Sequence, residues 1–336
     1  MKFVIDNAIP DLKERLEAVG EVIALPAKEI TRSVVADADA LIVRTRTRCN
    51  AFLLEGSSVS LVATATAGTD HIDSQWCRSA GIDVVSAPGC NAPAVAQYVL
   101  ASLHHSGYDP SRHVLGVVGK GHVGSIVTDW ARRLGGKVCV CDPPRQEAGM
   151  DDDEYLSLPV MLRSCDYITF HVPLTVHGPH ATRHMLDAEA LEAANPHMVF
   201  INAARGGIID EKALLQIMQK SDKSRFRLII DTWETEPQPD SHLLEQAIIA
   251  TPHIAGYSLE GKQRATRMVI EAVEQRFGLT VCKDGLATAY TSPHNVSMDI
   301  ICRSYDPMAD TERLRANPAD FEYLRNHYCY RNEPQF

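Results

Sequence analysis

Short apolar runs recur along the chain and alternate with stretches of helical spacing. In its first part these runs, rich in Val, Ile, Leu and Ala, cover residues 2–6, 21–25, 40–44, 60–64 and 82–86. Between them apolar residues return every three or four positions, as at Leu12, Leu16 and Val19. Buried strands that alternate with amphipathic helices are typical of an open parallel sheet, so the pattern predicts an α/β fold.

The same rhythm begins again at Val114 and predicts a second α/β unit. A helix over about residues 92–105 leads into this unit, and a long helix over about 258–277 follows it. We therefore expect two doubly wound, Rossmann-like domains with parallel sheets. The further predicted strands cover residues 137–141, 166–170, 198–202, 227–231 and 247–251.

The tail from about residue 281 differs from both units because it shows no strand pattern. It contains Tyr305-Asp306-Pro307 and ends in a predicted aromatic helix from Phe321 to Tyr330. A segment of this length is too short to build a strong core of its own. We predict an accessory element.

Composition indicates an ordinary globular protein. Of the 336 residues 45% are hydrophobic and 23% charged, and the formal net charge is −10. This acidic balance argues against non-specific binding to nucleic acid or to an acidic membrane. A local basic pocket remains compatible with it.

Cysteine usage and the lack of targeting signals favour the cytoplasm. The nine cysteines are odd in number and form no CxxC pair, which is typical of a reducing compartment. Cys139 and Cys141 are interpreted as buried apolar residues of a strand, so no metal is expected. The start Met1–Asp6 turns acidic too early for a signal peptide, and no run reaches the roughly 18 apolar residues of a membrane span.

A glycine-rich motif stands between a predicted strand and a predicted helix. Leu115–Val118 runs into Gly119-Lys120-Gly121-His122-Val123-Gly124. In this context Gly119 permits the tight turn, Gly121 lets a pyrophosphate approach the backbone, and Gly124 lets the helix pack on the strand. The helix N-terminus then faces the phosphate charge. The motif predicts a dinucleotide site.

An acidic residue at the end of the next strand selects the dinucleotide. The strand Val138–Cys141 ends at Asp142. A carboxylate there can hold the ribose hydroxyls and would repel a 2′-phosphate, so NAD is favoured over NADP. The side chains of Lys120 and His122 are assigned no role.

Three polar segments lie at the ends of predicted strands of the second unit, where open α/β sheets bind their ligands. They are Asn202–Gly207, Asp231–Pro237 and Thr251–Gly256. Oxidation of a secondary alcohol beside a carboxylate needs a cation for the carboxylate, a base for the hydroxyl proton, and an acid that orients the base.

Arg205, His253 and Glu236 suit these three roles. A guanidinium matches a carboxylate in a bidentate way, and an imidazole titrates near neutral pH. A carboxylate beside the imidazole stabilises its protonated form. Singly, each residue has an ordinary explanation as a loop ion pair, a core histidine or a surface charge. Their joint occurrence after a dinucleotide motif favours the catalytic interpretation.

These segments resemble the D-isomer-specific 2-hydroxyacid dehydrogenases from residue 1 to about 280. The resemblance implies that Arg205, Glu236 and His253 are catalytic, the glutamate being the one directly before proline. It also implies a discontinuous first domain. The expected domains are a substrate-binding domain of residues 1–92 and 255–280, an NAD-binding domain of residues 93–254, and a C-terminal dimerisation element of residues 281–336.

The resemblance further implies a set of residues beside the cofactor. Phe170–Leu174 is similar to the cofactor-side loop of the family, and Asp231 matches a cofactor-contacting position. The full set expected to bind NAD is Gly119, Gly121, His122, Val123, Gly124, Asp142, Val172, Ala203, Ala204, Arg205, Asp231 and Gly256.

Other blocks resemble one branch of the family, whose substrate carries a carboxylate at one end and a phosphate at the other. These blocks are Ala63–Asp73, Ala87–Ala92 and Ile254–Lys262. The resemblance implies that Thr45, Thr66 and Tyr257 contact a small phosphorylated hydroxy acid and that Arg44 lies beside them.

The segment after Leu41–Val43 offers an anion pocket of its own. In Arg44-Thr45-Arg46-Thr47-Arg48, alternation puts the three arginines on one face if the strand continues. For Arg46 and Arg48, a cationic edge strand that resists aggregation is an equal alternative.

The chain departs from the family pattern at Gln97, where a glutamate is common, and in its short tail. The family assembles as homodimers, and a homodimer is therefore expected. Two alternatives remain open: a dehydrogenase of the same family that acts on 3-phosphoglycerate or glycerate, and a non-catalytic, NAD-sensing protein of the corepressor type.

Overall fold

The computed structural model describes residues 1–150, 153–220 and 226–336, which form two compact units. The first unit comprises Met1–Asn91 and Ser258–Thr291, and the second comprises Ala92–Tyr257 and Ser292–Phe336. Each is built on a parallel sheet, as the apolar pattern predicts. Within the described ranges, none of the helices combines the length and the apolar character needed to cross a bilayer.

The first unit has a parallel sheet in the order β2-β1-β3-β4-β5. Elements are numbered in chain order over the whole chain. The strands are β1 Lys2–Asp6, β2 Glu21–Leu25, β3 Ala40–Val43, β4 Leu61–Thr64 and β5 Asp83–Val85. The helices are α1 Leu12–Glu17, α2 Arg32–Val35, α3 Ala51–Leu54, α4 Ser74–Ser79 and α12 Leu259–Phe277.

The strands of this unit are apolar throughout because both faces of the sheet are covered. Phe3 and Ile5 of β1 belong to one buried cluster, which includes Val269 and Val273 of α12. Val4, between them in sequence, belongs to a separate cluster on the other face. The strand period of two therefore distributes one apolar run between two cores.

The second unit has a parallel sheet in the order β11-β10-β9-β8-β6-β7. Its strands are β6 Val114–Val118, β7 Lys137–Cys141, β8 Tyr167–Phe170, β9 Val199–Asn202, β10 Arg227–Ile230 and β11 Ile249–Ala250. Its helices are α5 Ala92–His105, α6 His122–Arg133, α7 Pro143–Glu147, α8 Leu158–Ser164, α9 Ala188–Ala193, α10 Glu211–Lys220, α11 Ser241–Gln246, α13 Met298–Ser304, α14 Pro307–Ala316 and α15 Phe321–Asn326.

The direction of winding in the second unit reverses at β6. This strand pairs with β7 on one side and with β8 on the other. A crevice opens at the carboxyl end of a doubly wound sheet where the strand order reverses, and ligands bind in it. The glycine-rich segment that follows β6 therefore lies at the predicted position for a dinucleotide.

The tail packs into the core of the second unit. Leu314 of α14 and Phe321 of α15 are fully buried in the same cluster as Phe200 of β9. The aromatic helix expected from Phe321 to Tyr330 ends earlier, at Asn326. The domain boundary expected at residue 281 stays a prediction. The first compact unit continues to Thr291.

The prediction for the arginine segment is wrong. β3 ends at Val43, and Arg44 begins a turn in which the Thr47 amide donates to the Arg44 carbonyl at 3.5 Å. The turn ends the strand alternation, so Arg44, Arg46 and Arg48 do not share a strand face. The alternative of a cationic edge strand is also wrong, because β3 is the central strand of its sheet.

Candidate active site

The three glycines of the loop after β6 occupy different environments. Gly119 has a φ of +88°, and a Cβ there would lie 2.7 Å from Val172 Cγ1. A Cβ on Gly124 would lie 1.9 Å from the Gly119 carbonyl oxygen. Gly121, just before α6, has no atom within 4 Å of such a position. The loop is closed toward the protein and open at Gly121, which suits a pyrophosphate over the helix N-terminus.

Asp142 is fixed beside this loop. Its carboxylate accepts from the Lys120 amide at 2.7 Å and from the Arg145 amide at 3.1 Å, and so caps α7. The Lys120 ammonium pairs with Asp153, which Arg132 also contacts at 2.9 Å. The loop is therefore tied to the end of β7, where a ribose would lie.

The other residues expected beside the cofactor lie at the start of α6 and on the loops after β8, β9, β10 and β11. His122 is exposed, and Asp231 is buried with 1% of its surface accessible. Their contacts with NAD stay a prediction, as do those of the half-buried residues Val123, Val172, Ala203, Ala204 and Gly256.

Arg205 lies on a loop that Asn202 holds at the end of β9. The Asn202 amide donates to the Arg205 carbonyl at 2.9 Å, and its oxygen accepts from the Ala204 amide at 3.2 Å. The guanidinium of Arg205 donates to the Ala204 carbonyl at 2.8 Å. A Cβ on Gly206 would lie 1.9 Å from the Trp233 carbonyl oxygen. Glycine is required there because this loop touches the segment after β10.

Glu236 and His253 form a hydrogen-bonded pair. His253 Nδ1 lies 2.9 Å from Glu236 Oε2 and 3.1 Å from Oε1, and Oε1 also accepts from the Trp233 amide at 2.9 Å. These residues follow β10 and β11, and the sheet order runs β11-β10-β9. The parallel strands therefore bring the segments of all three candidate catalytic residues to one edge.

Asp231 holds the backbone of His253 and of the two residues after it by hydrogen bonds. His253 has a φ of +57° and donates its amide to the Asp231 carbonyl at 2.9 Å. The Asp231 carboxylate accepts from the amides of Ile254 and Ala255 at 2.8 and 3.0 Å, and from the Thr251 hydroxyl at 2.7 Å. Burial raises the pKa of Asp231 despite these bonds. This residue organises the loop that carries His253.

Glu236 keeps its negative charge in a partly buried place. Burial opposes ionisation, but the hydrogen bond and charge of His253, the Trp233 amide and the Arg325 guanidinium outweigh it and lower the pKa of Glu236. Close by, burial raises the pKa of Glu211 to about 7. Glu211 Oε1 accepts from the Glu234 amide at 2.9 Å. Glu211 and Arg325 belong to no motif that is recognisable in the sequence.

The expected substrate residues of the first unit are linked to buried polar groups. Arg44 Nε donates to Asp6 Oδ2 at 3.1 Å, and the Asp6 side chain is fully buried. Thr66 Oγ1 lies 2.7 Å from Thr64 Oγ1, which lies 3.1 Å from His71 Nε2.

Burial lowers the pKa of His71. Thr45 is exposed.

Tyr257 belongs to the second unit, where its hydroxyl accepts from Arg325 Nε at 3.2 Å. No sequence motif indicates that a residue of α15 reaches Tyr257. The contact depends entirely on the path of the tail.

The tail also explains Gln97, the departure from the family pattern. Gln97 Oε1 accepts from Arg331 Nε at 2.9 Å, and its amide donates to Ser304 Oγ at 2.8 Å. Arg331 is nearly buried and lies over the Tyr305 ring at 4.1 Å. An amide can accept from one residue and donate to the other, which an ionised glutamate cannot. The guanidinium of Arg331 also donates to the carbonyls of Ala94, Ile254, Ala255 and Tyr257.

A second histidine, His184, links two of the segments that carry candidate catalytic residues. His184 Nε2 lies 2.7 Å from Glu234 Oε1, and its Nδ1 lies 3.7 Å from Asp210 Oδ2. Its amide donates to the Gly207 carbonyl at 2.7 Å. His184 thus connects the loop of Arg205 with the segment of Glu236.

Comparison with known proteins identifies relatives of the whole chain. The sequence model of the family "D-isomer specific 2-hydroxyacid dehydrogenase, NAD binding domain" matches residues 91–255. A protein of Bacteroides fragilis named erythronate-4-phosphate dehydrogenase is 42% identical over 99% of this chain and 97% of its own length. A protein of the same name from Yersinia pestis is 38% identical over 99% of this chain and 93% of its own.

Solved structures confirm the fold. The NAD-bound 3-phosphoglycerate dehydrogenase of Entamoeba histolytica aligns with a TM-score of 0.68 at 24% identity, over 87% of this chain and 99% of its own. The D-lactate dehydrogenase of Aquifex aeolicus, solved with NAD and lactic acid, aligns with a TM-score of 0.66 at 22% identity, over 83% and 96%.

Proposed function

The chain belongs to the D-isomer-specific 2-hydroxyacid dehydrogenase family, and we propose that it oxidises 4-phospho-D-erythronate at C2, with NAD as the hydride acceptor. The product is 2-oxo-3-hydroxy-4-phosphobutanoate, an intermediate of the route to pyridoxine 5′-phosphate. The Glu236–His253 pair, with its 2.9 Å contact at the carboxyl edge of an NAD-binding sheet, is the observation that carries the proposal.

Arg205 is proposed to bind the carboxylate of the substrate. Its loop is held by Asn202, and the contact of Gly206 with the Trp233 carbonyl keeps it close to the segment of Glu236. A guanidinium that binds both carboxylate oxygens orients the neighbouring C2 hydroxyl. This fixes which carbon is presented for oxidation.

His253 is proposed to remove the C2 hydroxyl proton. Its Nδ1 is engaged by Glu236, so Nε2 is the ring nitrogen that takes the proton. When bound, NAD would supply the acceptor for the hydride that leaves C2 as the carbonyl forms. The ionised Glu236 stabilises the imidazolium that results from the proton transfer.

The residues present fit NAD. The open space at Gly121 and the close packing at Gly119 and Gly124 leave a backbone cradle at the N-terminus of α6. Asp142 offers a carboxylate at the end of β7, where it would hold ribose hydroxyls and repel a 2′-phosphate.

The names of the full-length relatives support the choice of substrate. Both are called erythronate-4-phosphate dehydrogenases. We propose that Thr45, Thr66 and Tyr257 contact this substrate and that Arg44 lies beside them. Hydroxyl groups suit the polar middle of a four-carbon sugar acid, and cationic groups suit its two charged ends.

The test is nicotinamide reduction by the purified protein with 4-phospho-D-erythronate and D-3-phosphoglycerate in parallel, with and without a 2-oxo acid as reoxidant. We expect reduction with the erythronate. Preference for phosphoglycerate would leave the family assignment intact and would contradict the proposed substrate. No reduction with either, although NAD binds, would favour the NAD-sensing alternative.

Two further proposals concern the state of the protein. We propose a homodimer in the cytoplasm, as the resemblance implies. Sedimentation equilibrium tests the homodimer, and a single species at the protomer mass of 37.0 kDa would contradict it.

A further inference from the structure

We propose that Arg325 is a positioning residue for this oxidation, holding the Tyr257 hydroxyl and the Glu236 carboxylate in the arrangement that His253 needs. The inference rests on the proposed function and adds a residue from the C-terminal tail to the site. It concerns only residues of the second compact unit.

The contacts of Arg325 connect two candidate site residues. Its Nε donates to Tyr257 Oη at 3.2 Å, and its Nη1 lies 4.0 Å from Glu236 Oε2. The same group lies 4.0 Å from Glu322 of the preceding turn. Only 15% of the side chain is exposed, so solvent screens these interactions incompletely.

The contact with Tyr257 sets the direction of its hydroxyl. Arginine can only donate hydrogen bonds, so Tyr257 Oη accepts from it. The phenolic proton is then directed away from Arg325 and toward another acceptor. A tyrosine held in this way serves as a donor to a substrate oxygen.

The contact with Glu236 acts on the base through its partner. A cation near the carboxylate keeps it ionised and weakens its pull on a proton carried by His253. Glu236 is thereby kept in the ionised form that accepts from His253 Nδ1. Among the described residues, Asp231 after β10, Glu211 of α10 and Arg325 of α15 interact electrostatically with this pair, and Glu322 of α15 interacts with Arg325.

The similar solved structures each cover a smaller share of this chain than of their own length. They align over 95% or more of their own length but over at most 87% of this chain. The relatives named for erythronate 4-phosphate align over 99% of it. The tail that carries Arg325 therefore falls within the region that these relatives share with this chain.

The test compares Arg325→Gln and Arg325→Lys with the wild-type protein. For Arg325→Gln we expect kcat/KM to fall about ten- to a hundred-fold, as for a small misplacement of catalytic groups. The acid limb of its pH profile moves to higher pH because the base stays protonated longer. Arg325→Lys restores the position of the acid limb, since the charge returns, without restoring all of kcat. Arg303→Gln, an exposed arginine of the same tail, is the matched control.

Two results would overturn the proposal. One is an unchanged pH profile in Arg325→Gln with a raised KM alone, which would make Arg325 a direct substrate ligand. Another is an equal loss in both variants together with a lower Tm, which would make its role structural.

A second measurement does not depend on turnover. In protein labelled with ¹⁵N-histidine, the His253 ring signal should change at a higher pH in Arg325→Gln than in the wild type. If the wild type oxidises no hydroxy acid yet this change occurs, the proposed function fails and the positioning of the pair stands. If the wild type is active and the signal does not move, only the positioning role fails.

Discussion

At the scale of single residues, His253 combines a constrained backbone with a defined partner. Its φ of +57° lies in the left-handed region, which costs of the order of 1 kcal/mol outside glycine. Asp231 offsets this cost by accepting from its neighbours Ile254 and Ala255. The fixed backbone aims the imidazole at Glu236, and this arrangement is what a general base requires.

Replacement of His253 by alanine should lower turnover by about two to four orders of magnitude, because no other group at this position can take the hydroxyl proton. NAD affinity should persist, because the glycine loop is unchanged. Steady-state kinetics and NAD titration measure the two effects. His242→Ala, at a side chain 65% exposed, is the control, and full activity of His253→Ala would remove the catalytic assignment.

Glu211 should make stability depend on pH. Its folded pKa of about 7 lies above the ordinary value, so the folded state binds a proton that the unfolded state has released between about pH 4.5 and pH 7. Stability due to this group is therefore present at low pH and lost as pH rises through that window. The slope for one proton cannot exceed about 1.4 kcal/mol per pH unit.

Glu211→Gln should remove this dependence, because an amide oxygen still accepts from the Glu234 amide but does not ionise. Urea unfolding at pH 5 and pH 8 measures the difference from the wild type. The exposed Glu245→Gln is the matched control. An equal pH response in wild type and Glu211→Gln would contradict the prediction.

At the scale of elements, the loop between β6 and α6 separates two roles of glycine. Gly124 allows helix and loop to touch, and Gly121 leaves room above the helix. The first role concerns folding and the second concerns the ligand.

Alanine should therefore affect mainly stability at Gly124 and mainly NAD binding at Gly121. Gly124→Ala should lower the free energy of unfolding by about 1–3 kcal/mol, because its Cβ would meet the Gly119 carbonyl at 1.9 Å. Gly121→Ala should leave stability nearly unchanged and weaken NAD binding at least about tenfold. Thermal unfolding and NAD titration distinguish them, and unimpaired NAD binding by Gly121→Ala would contradict this placement of the pyrophosphate.

At the scale of the whole molecule, Arg331 joins the end of the chain to the loop after His253. Its guanidinium donates to Gln97 and to backbone carbonyls on both sides of Gly256. Gln97 lies on α5, and the carbonyls lie on the loop after His253. A tail without a core of its own thus gains its order from hydrogen bonds and from the core that it enters.

Arg331→Met should lower the free energy of unfolding by at least about 3 kcal/mol, because several buried acceptors lose a charged donor at once. Arg303→Met, at a side chain 80% exposed, should change it by less than about 0.5 kcal/mol. Urea unfolding of both variants tests the difference. Similar stabilities would mean that the tail contributes little to the second unit.

The sequence alone determined the two parallel sheets, because buried strands require apolar runs that can be recognised without knowledge of their partners. Predicted strands such as 21–25 and 137–141 match β2 and β7. It also identified the glycine loop and the segments of Arg205, Glu236 and His253, since each follows a recognisable strand. Parallel strands bring their carboxyl ends to one edge, and this connects residues that are distant in sequence.

The tertiary structure alone decided the rest. Arg44–Arg48 reads as a continued strand, but a turn ends β3 at Val43, and such a boundary depends on the packing of neighbours rather than on alternation. The partners of Glu236, Gln97 and Tyr257 in the tail were also invisible in sequence. A lone arginine carries no periodicity, and its partner is set by the path of the chain through space.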